Sequence, residues 1–198
     1  MQPVTIDKPI SELKPMDVKC SDTKCEQGFH YYTSKVTGKG KKVGDCKECG
    51  DDSIDWARIY LHNLNDIEYT FNSLKKELLR HVCWINEIDQ NAILRAKRRG
   101  RNAIRARAKE IIAKKIGHPI QSYFDKICTP KKGSEIIHYG QHATATCCRV
   151  CLERWHNIPQ NAHLNEKQID YCVELIELFV KDRIPEITDG GNPQMKMR

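Results

Sequence analysis

The cysteines constrain this chain most. It has ten in 198 residues, and seven of them fall into two tight groups: Cys20, Cys25, Cys46 and Cys49, then Cys147, Cys148 and Cys151. Ten is well below the density of a small disulfide scaffold, and thiols clustered in this way in a reducing compartment are metal ligands before they are disulfides. Cys83, Cys128 and Cys172 stand apart, and Cys83 and Cys172 sit among apolar residues as small core side chains.

In the first group, Cys20-x4-Cys25 and Cys46-x2-Cys49 are two pairs of soft donors separated by twenty residues. A β-hairpin in the insert would return the second pair to the first, and four thiolates at about 2.3 Å would close a tetrahedral structural zinc site. Gly50 after the Cys-x-x-Cys lets the backbone turn so that its amides point at sulfur. The x4 spacing of the first pair is loose, which leaves His30 as a spare ligand. Such a site has no open position for a reacting water, so its role is that of a staple. The hairpin lysines Lys35, Lys39, Lys41 and Lys42 form its exposed surface.

Apolar residues make up 39% of the chain and charged residues 30%, and no run approaches the ~20 apolar residues that a membrane-spanning helix needs. The opening MQPVTIDKPI lacks a basic-then-apolar leader, so a soluble, cytoplasmic protein is expected. Residues 1–54 read as an extended lead-in and a zinc-ribbon-like module with too few apolar residues to fold unaided. Residues 55–187 read as a helical domain, and 188–198, with Asp-Gly-Gly-Asn-Pro, as a disordered tail. In the helical part, Ile67, Phe71, Leu74, Leu78, Val82, Ile85 and Ile88 recur every three or four residues as one face of one helix. A second helix runs from Asn91 to Ile116, with Gly100 as its kink. A last helix opens at Asn165 with Gln168 completing a capping box, and stops before Pro185. Glu135 to Tyr139 reads as a short strand. The fold expected is mainly α, with a small N-terminal β-hairpin zinc ribbon and a helical core carrying a zinc-knuckle-like turn.

That turn is the second group. Cys148-x2-Cys151-x4-His156 reproduces the first three positions of a zinc knuckle, but the fourth position is Asn161. His142, Cys147 or a water then completes the sphere, and three protein ligands plus water is the arrangement of a catalytic zinc. A zinc deaminase is excluded, because residues 142–144 read His-Ala-Thr where that chemistry needs a glutamate beside the histidine.

The segment from Tyr139 to Pro159, YGQHATATCCRVCLERWHNIP, followed by the helix from Asn165, resembles an uncharacterised bacterial domain family with a shared HATATCCRxC…WHxIP block. The resemblance covers roughly residues 70–185. A similar N-terminal segment matches Cys25-x-x-Gly-x-His30 and Cys46-x-x-Cys-Gly50. It implies a single architecture and supplies no activity. Asn157 stands where the pattern leads one to expect glycine.

Positive charge is concentrated between Arg95 and Lys115, where ten basic residues face one acid, Glu110, against a net +7 for the whole chain. Arg98, Arg101, Arg105 and Lys109 fall on one side at helical spacing. With Arg95, Arg99 and Arg107 they are the expected contacts to nucleic-acid phosphate. No aromatic ladder accompanies them, so backbone contact is favoured over base reading. Three functions follow from these residues. The first is a zinc-stabilised nucleic-acid-binding accessory protein. The second is a metal-dependent nuclease using His142, Cys148, Cys151 and His156, with His138, Glu135 and Glu153 nearby. The third is a protein–protein adaptor whose basic helix meets an acidic partner.

Overall fold

The computed structural model of the chain describes residues 8–33, 42–119 and 133–194. Among these, the regular elements are helical: α1 (Trp56–Tyr60), α2 (Ile67–Leu74), α3 (Leu78–Ile85), α4 (Gln90–Ile111), α5 (Ile136–Ala143), α6 (Arg149–His156) and α7 (Glu166–Arg183). Short 3-10 turns at Ile10–Glu12, Pro15–Asp17 and Cys25–Gln27 carry the N-terminal segment, and α4 widens into a π-type turn at Ile112–Ile116.

α7 is the hub. Asn165 caps it, accepting from the Gln168 amide at 2.9 Å while Gln168 Oε1 accepts from the Asn165 amide, as the capping box predicts. Ile169, Cys172, Val173, Leu175, Ile176, Phe179 and Val180 are all buried. So wide an apolar surface takes partners on several sides, and α2, α4 and α5 all pack on it. α5 approaches closely because Gly140 leaves room for Ile176 and Phe179. Leu13, Val18, Tyr32, Cys46 and Ile54 join this same core, so the N-terminal segment is built into the helical body and is not a module beside it.

Four readings change. The single helix drawn through residues 67–88 is two, because the chain breaks at Lys75–Glu77. There the N-terminal segment pairs with it: the His30 amide donates to the Lys76 carbonyl at 2.8 Å, and the Leu78 amide donates to the His30 carbonyl at 3.1 Å. The strand expected at 135–139 is the first turn of α5. No hairpin ribbon forms as strands among the described residues. Its rudiment is an antiparallel bridge between Tyr32 and Cys46, and Lys35, Lys39 and Lys41 lie outside the described residues, as does Cys128.

The fourth change concerns the tail, which pairs with α4 as far as Asn192. α4 is interrupted at Gly100 (φ 79°, ψ 168°), so the amides of Arg101 and Asn102 lose their helical acceptors. The tail replaces them. Arg101 N donates to Thr188 O at 3.0 Å and Asn102 N to Asp189 O at 3.1 Å, while Asn192 N donates back to Lys97 O at 2.9 Å. A side chain at Gly100 would fall on the backbone of Asp189 and Gly191, so the glycine provides both the left-handed conformation and the space.

Candidate metal centres

The first centre is assembled by two tight turns. Cys25 opens the turn closed by Gly28 (φ 80°), and Cys46 to Cys49 make a second turn closed by Gly50 (φ 78°), whose amide donates to Cys46 O at 3.0 Å. His30 is held by its backbone pairing with the break between α2 and α3. Cys25, His30, Cys46 and Cys49 thereby bring three Sγ atoms and one imidazole nitrogen within 4.8 Å of one another. Cys25 Sγ lies 3.7 Å from Cys46 Sγ, and Cys49 Sγ lies 3.4 Å from His30 Nδ1. His30 therefore takes the position expected of Cys20, which is outside this group. Backbone pairing with Lys76 and Leu78 fixes His30 beside the thiols, and the Lys24–Phe29 bridge turns the chain from Cys25 back to it.

Burial works against a thiolate at Cys46, but the amides of Cys49, Tyr31 and Glu48 and the His30 ring outweigh it and bring the thiol down to about 7. Burial and the neighbouring thiols Cys49 and Cys46 push Cys25 up to about 12. Crowded thiols oppose one another's ionisation unless a cation sits among them, and a divalent ion reverses that repulsion. An aromatic cluster locks the centre to the helices. The Tyr32 and Trp56 rings lie 5.9 and 5.2 Å from the ring of Trp155 on α6.

The second centre is at the start of α6. Cys147, Cys148 and Cys151 bring their Sγ atoms within 4.8 Å of one another. Cys148 is the N-cap, its sulfur accepting from the Cys151 amide at 3.5 Å, so the helix N-terminus adds positive potential at the thiols. Of the preceding His-Ala-Thr-Ala-Thr stretch, His142 and Ala143 end α5, and Thr144 to Thr146 form a buried loop. Thr144 Oγ1 donates to Gly140 O at 2.8 Å and lies 3.0 Å from Thr146 Oγ1, while Gln141 Nε2 donates to Thr146 O at 3.2 Å. Ala145 in this loop holds a left-handed conformation (φ 55°). Asn157, where glycine is expected, is the left-handed C-cap of α6 (φ 52°), a conformation asparagine tolerates better than other side chains.

Neither histidine of the expected second set is grouped with these thiols. His156 is fully buried, with Nδ1 3.1 Å from Tyr171 Oη and Nε2 3.1 Å from Thr144 O, so both ring nitrogens are occupied inside the core. Desolvation brings its pKa down to about 3. The α6 helix places His156 more than a turn beyond Cys151, facing α7. His142 lies on α5, and its carbonyl accepts from Arg80. Cys147, one of the options for completing the sphere, stands with Cys148 and Cys151.

Beneath the thiols lies a buried charge network that the sequence analysis did not identify. Glu77 is fully buried and accepts from Arg80, Arg154 and the Trp155 indole. Arg80, also buried, donates to Cys151 Sγ at 3.5 Å. Two guanidinium groups and one carboxylate leave one positive charge uncompensated in the core, and the thiol cluster is the group placed to balance it. The Cys147 and Cys148 thiols, together with the charges of Arg80 and Arg154, hold Cys151 well below the ordinary thiol range. The sequence signal was available: Glu77 and Arg80 are spaced i,i+3 inside an apolar face. Glu77 also joins the two centres, since its backbone bridges to His30 and its side chain reaches Arg80.

The basic helix is occupied mostly by the protein itself. Lys109 pairs with Glu166 and Asp170 at 2.9 Å each, and Arg105 pairs with Glu174 and Glu177. Arg101 donates to Pro185 O at 3.0 Å. The cationic row thus zips antiparallel against an acidic row on α7, spaced i, i+4, i+8, i+11. On another side, Arg99 and Arg107 meet Glu135 at 2.7 and 3.3 Å, and Arg95 donates to the carbonyls of Gly133 and Ser134 at 3.1 Å. Arg98 is exposed. Six of the ten cations of residues 95–115 pair with seven carboxylates, namely Glu110, Glu135, Glu166, Asp170, Glu174, Glu177 and Glu186, a net excess of three, and Arg95, Arg98, Arg101 and Lys115 have no carboxylate partner among the described residues.

These features define a mainly helical protein in which, among the described residues, one Cys/His cluster and one all-cysteine cluster could hold metal ions. No helix among the described residues is long and apolar enough to cross a membrane. The sequence model of a domain of unknown function, DUF4186, matches residues 68–181, more than half of the chain, and the chain belongs to that family. No solved structure matches it. The match takes in the thiols of the second centre and the Glu77 network. The ligands of the first centre all precede it.

Proposed function

We propose that this is a zinc-stapled binding protein that contacts the phosphate backbone of nucleic acid, with both ions in structural roles. The observation that carries the reading is the donor chemistry of the two centres: three sulfurs and an imidazole in one, and three sulfurs in the other, are soft and borderline ligands that suit zinc and do not suit magnesium or calcium. The carboxylates that a two-metal nuclease would recruit are engaged elsewhere. Glu135 is held by Arg99 and Arg107, and Glu153 accepts from the Gln160 amide at 3.2 Å. With His156 sealed into the core, the open-site hydrolase loses one of its ligands.

The charge left for a polyanion is smaller than the sequence suggests. It centres on Arg98 with Arg95 and Arg101, whose side chains have no carboxylate partner among the described residues. Three phosphate contacts predict a slope of log K against log salt of about −2.7 on duplex DNA, where seven would give about −6. Binding of labelled duplex DNA and RNA across a salt series tests this, with the Arg95→Ala/Arg98→Ala variant expected to flatten the slope by about two. Absence of binding at low salt, or a slope unchanged in the variant, refutes nucleic-acid contact through this helix and leaves an acidic protein as the partner to test.

A further inference from the structure

Three consecutive residues join the first centre to the helix that carries the second. His30, a ligand, pairs through its backbone with Lys76 and Leu78, on either side of Glu77. The Arg154 guanidinium lies 4.8 Å over the Tyr31 ring, and the Tyr31 carbonyl accepts from the Lys47 amide at 2.9 Å, inside the Cys46–Cys49 turn. The buried Tyr32 ring meets Trp155 edge-on at 5.9 Å, and the Tyr32 backbone bridges to the ligand Cys46. Arg154 and Trp155 belong to α6, which Cys148 caps and whose first turn carries Cys151. Glu77 closes the connection. Its backbone is fixed by His30, and its buried carboxylate accepts from Arg154, from the Trp155 indole and from Arg80, which donates to Cys151 Sγ at 3.5 Å. Ordering residues 30–32 therefore orders Glu77, and through it both Arg80 and α6.

From this arrangement we infer that the two centres take up their ions cooperatively, coupled through residues 30–32 and Glu77. The inference rests on the zinc reading above. The turns that carry the first ligands are held by a 3-10 turn at Cys25–Gln27 and by single β-bridges, so an ion among their four donors adds the cross-links that regular structure does not supply there. At the second centre the ion joins Cys147 and Cys148 to Cys151, and so fixes the start of α6 from its other end. Both ions thus order the same connecting segment. Its ordering opposes the ion that arrives first and is already complete for the ion that follows, which is positive coupling without contact between the ions. The coupling is reciprocal, and linked sites of this kind lead one to expect a factor of about ten.

The test measures zinc affinity of the full chain by competition with a chromophoric chelator, in the parent and with one donor removed from each centre in turn. Cys49→Ser disables the first centre at its exposed ligand. Cys148→Ser disables the second and leaves an oxygen acceptor at the α6 N-cap. The overall two-ion constant of the parent should exceed the product of the two single-centre constants by about tenfold. In the Glu77→Gln background the same comparison should give a factor of about one, with both centres still taking up zinc. Hydrogen exchange supplies a second readout: in Cys148→Ser, zinc at the first centre should slow exchange of the α6 amides. Should Glu77→Gln fail to fold, the parent comparison and this exchange decide the matter. A two-ion constant within about twofold of the product, α6 exchange indifferent to the first ion, or a factor unchanged by Glu77→Gln overturns the coupling and leaves the zinc reading intact. A purified chain that takes up no zinc overturns both.

Discussion

Glu77 offers the sharpest test of how this core is held. Its carboxylate is fully buried and serves Arg80, Arg154 and the Trp155 indole together, with Arg80 only 1% exposed. Glu77→Gln preserves shape and volume, removes the one negative charge, and turns an amide N–H₂ toward a donor. Two guanidinium groups are then buried with no carboxylate, a change that costs about 3–5 kcal/mol when a buried pair loses one partner. For a chain of 198 residues, an unfolding entropy of about 2.1 cal/mol/K per residue converts this into a Tm lowered by about 7–12 °C. Calorimetry of the zinc-loaded protein measures it, with metal content checked in parallel because Arg80 also braces Cys151. Removing the stranded charge should recover part of the loss, so Glu77→Gln/Arg80→Met is expected to melt above Glu77→Gln. A single variant within 2 °C of the parent would show that solvent or rearrangement compensates the arginines, and the charge balance assigned to the thiol cluster would fall with it.

Further outcomes follow from other parts of the structure. His156 titrates at about 3 in the fold against 6.5 in the unfolded chain, so the unfolded state takes up the proton first. The stability due to the neutral ring is therefore full above pH 6.5 and is lost as pH falls toward 3, amounting to about 2 kcal/mol by pH 5. Urea unfolding between pH 7 and 5 should show that slope in the parent and a flatter one in His156→Gln. Gly100→Ala should cost about 2–3 kcal/mol and release the tail, read as new protease cleavage after Ile187; a tail still protected would refute its pairing with α4 at Gly100. Arg105→Ala should cost no more than about 1 kcal/mol, and less in high salt, since its pairs with Glu174 and Glu177 are partly exposed. A cost insensitive to salt would point to packing by the arginine stem instead.

The sequence by itself determined the helical body, the α7 cap at Asn165, the break at Gly100 and the presence of two thiol clusters, because periodicity, capping chemistry and ligand type are properties of neighbouring residues. Asn157 stood out only through the family resemblance, whose pattern leads one to expect glycine there, and the structure gives it the left-handed C-cap of α6. Only the tertiary structure decided which donors share a centre. His30 replaces Cys20 because backbone pairing at Lys76–Leu78 carries the imidazole to the thiols, and no local spacing records that pairing. His156 leaves the second set because α6 aims it at Tyr171. The basic row looked free because its acidic counterpart lies some sixty residues away on α7, and the tail looked loose because its partners are the amides that Gly100 uncovers. In each case the deciding interaction joins residues distant in the chain, where a charge or a donor is satisfied by whatever the fold places opposite it.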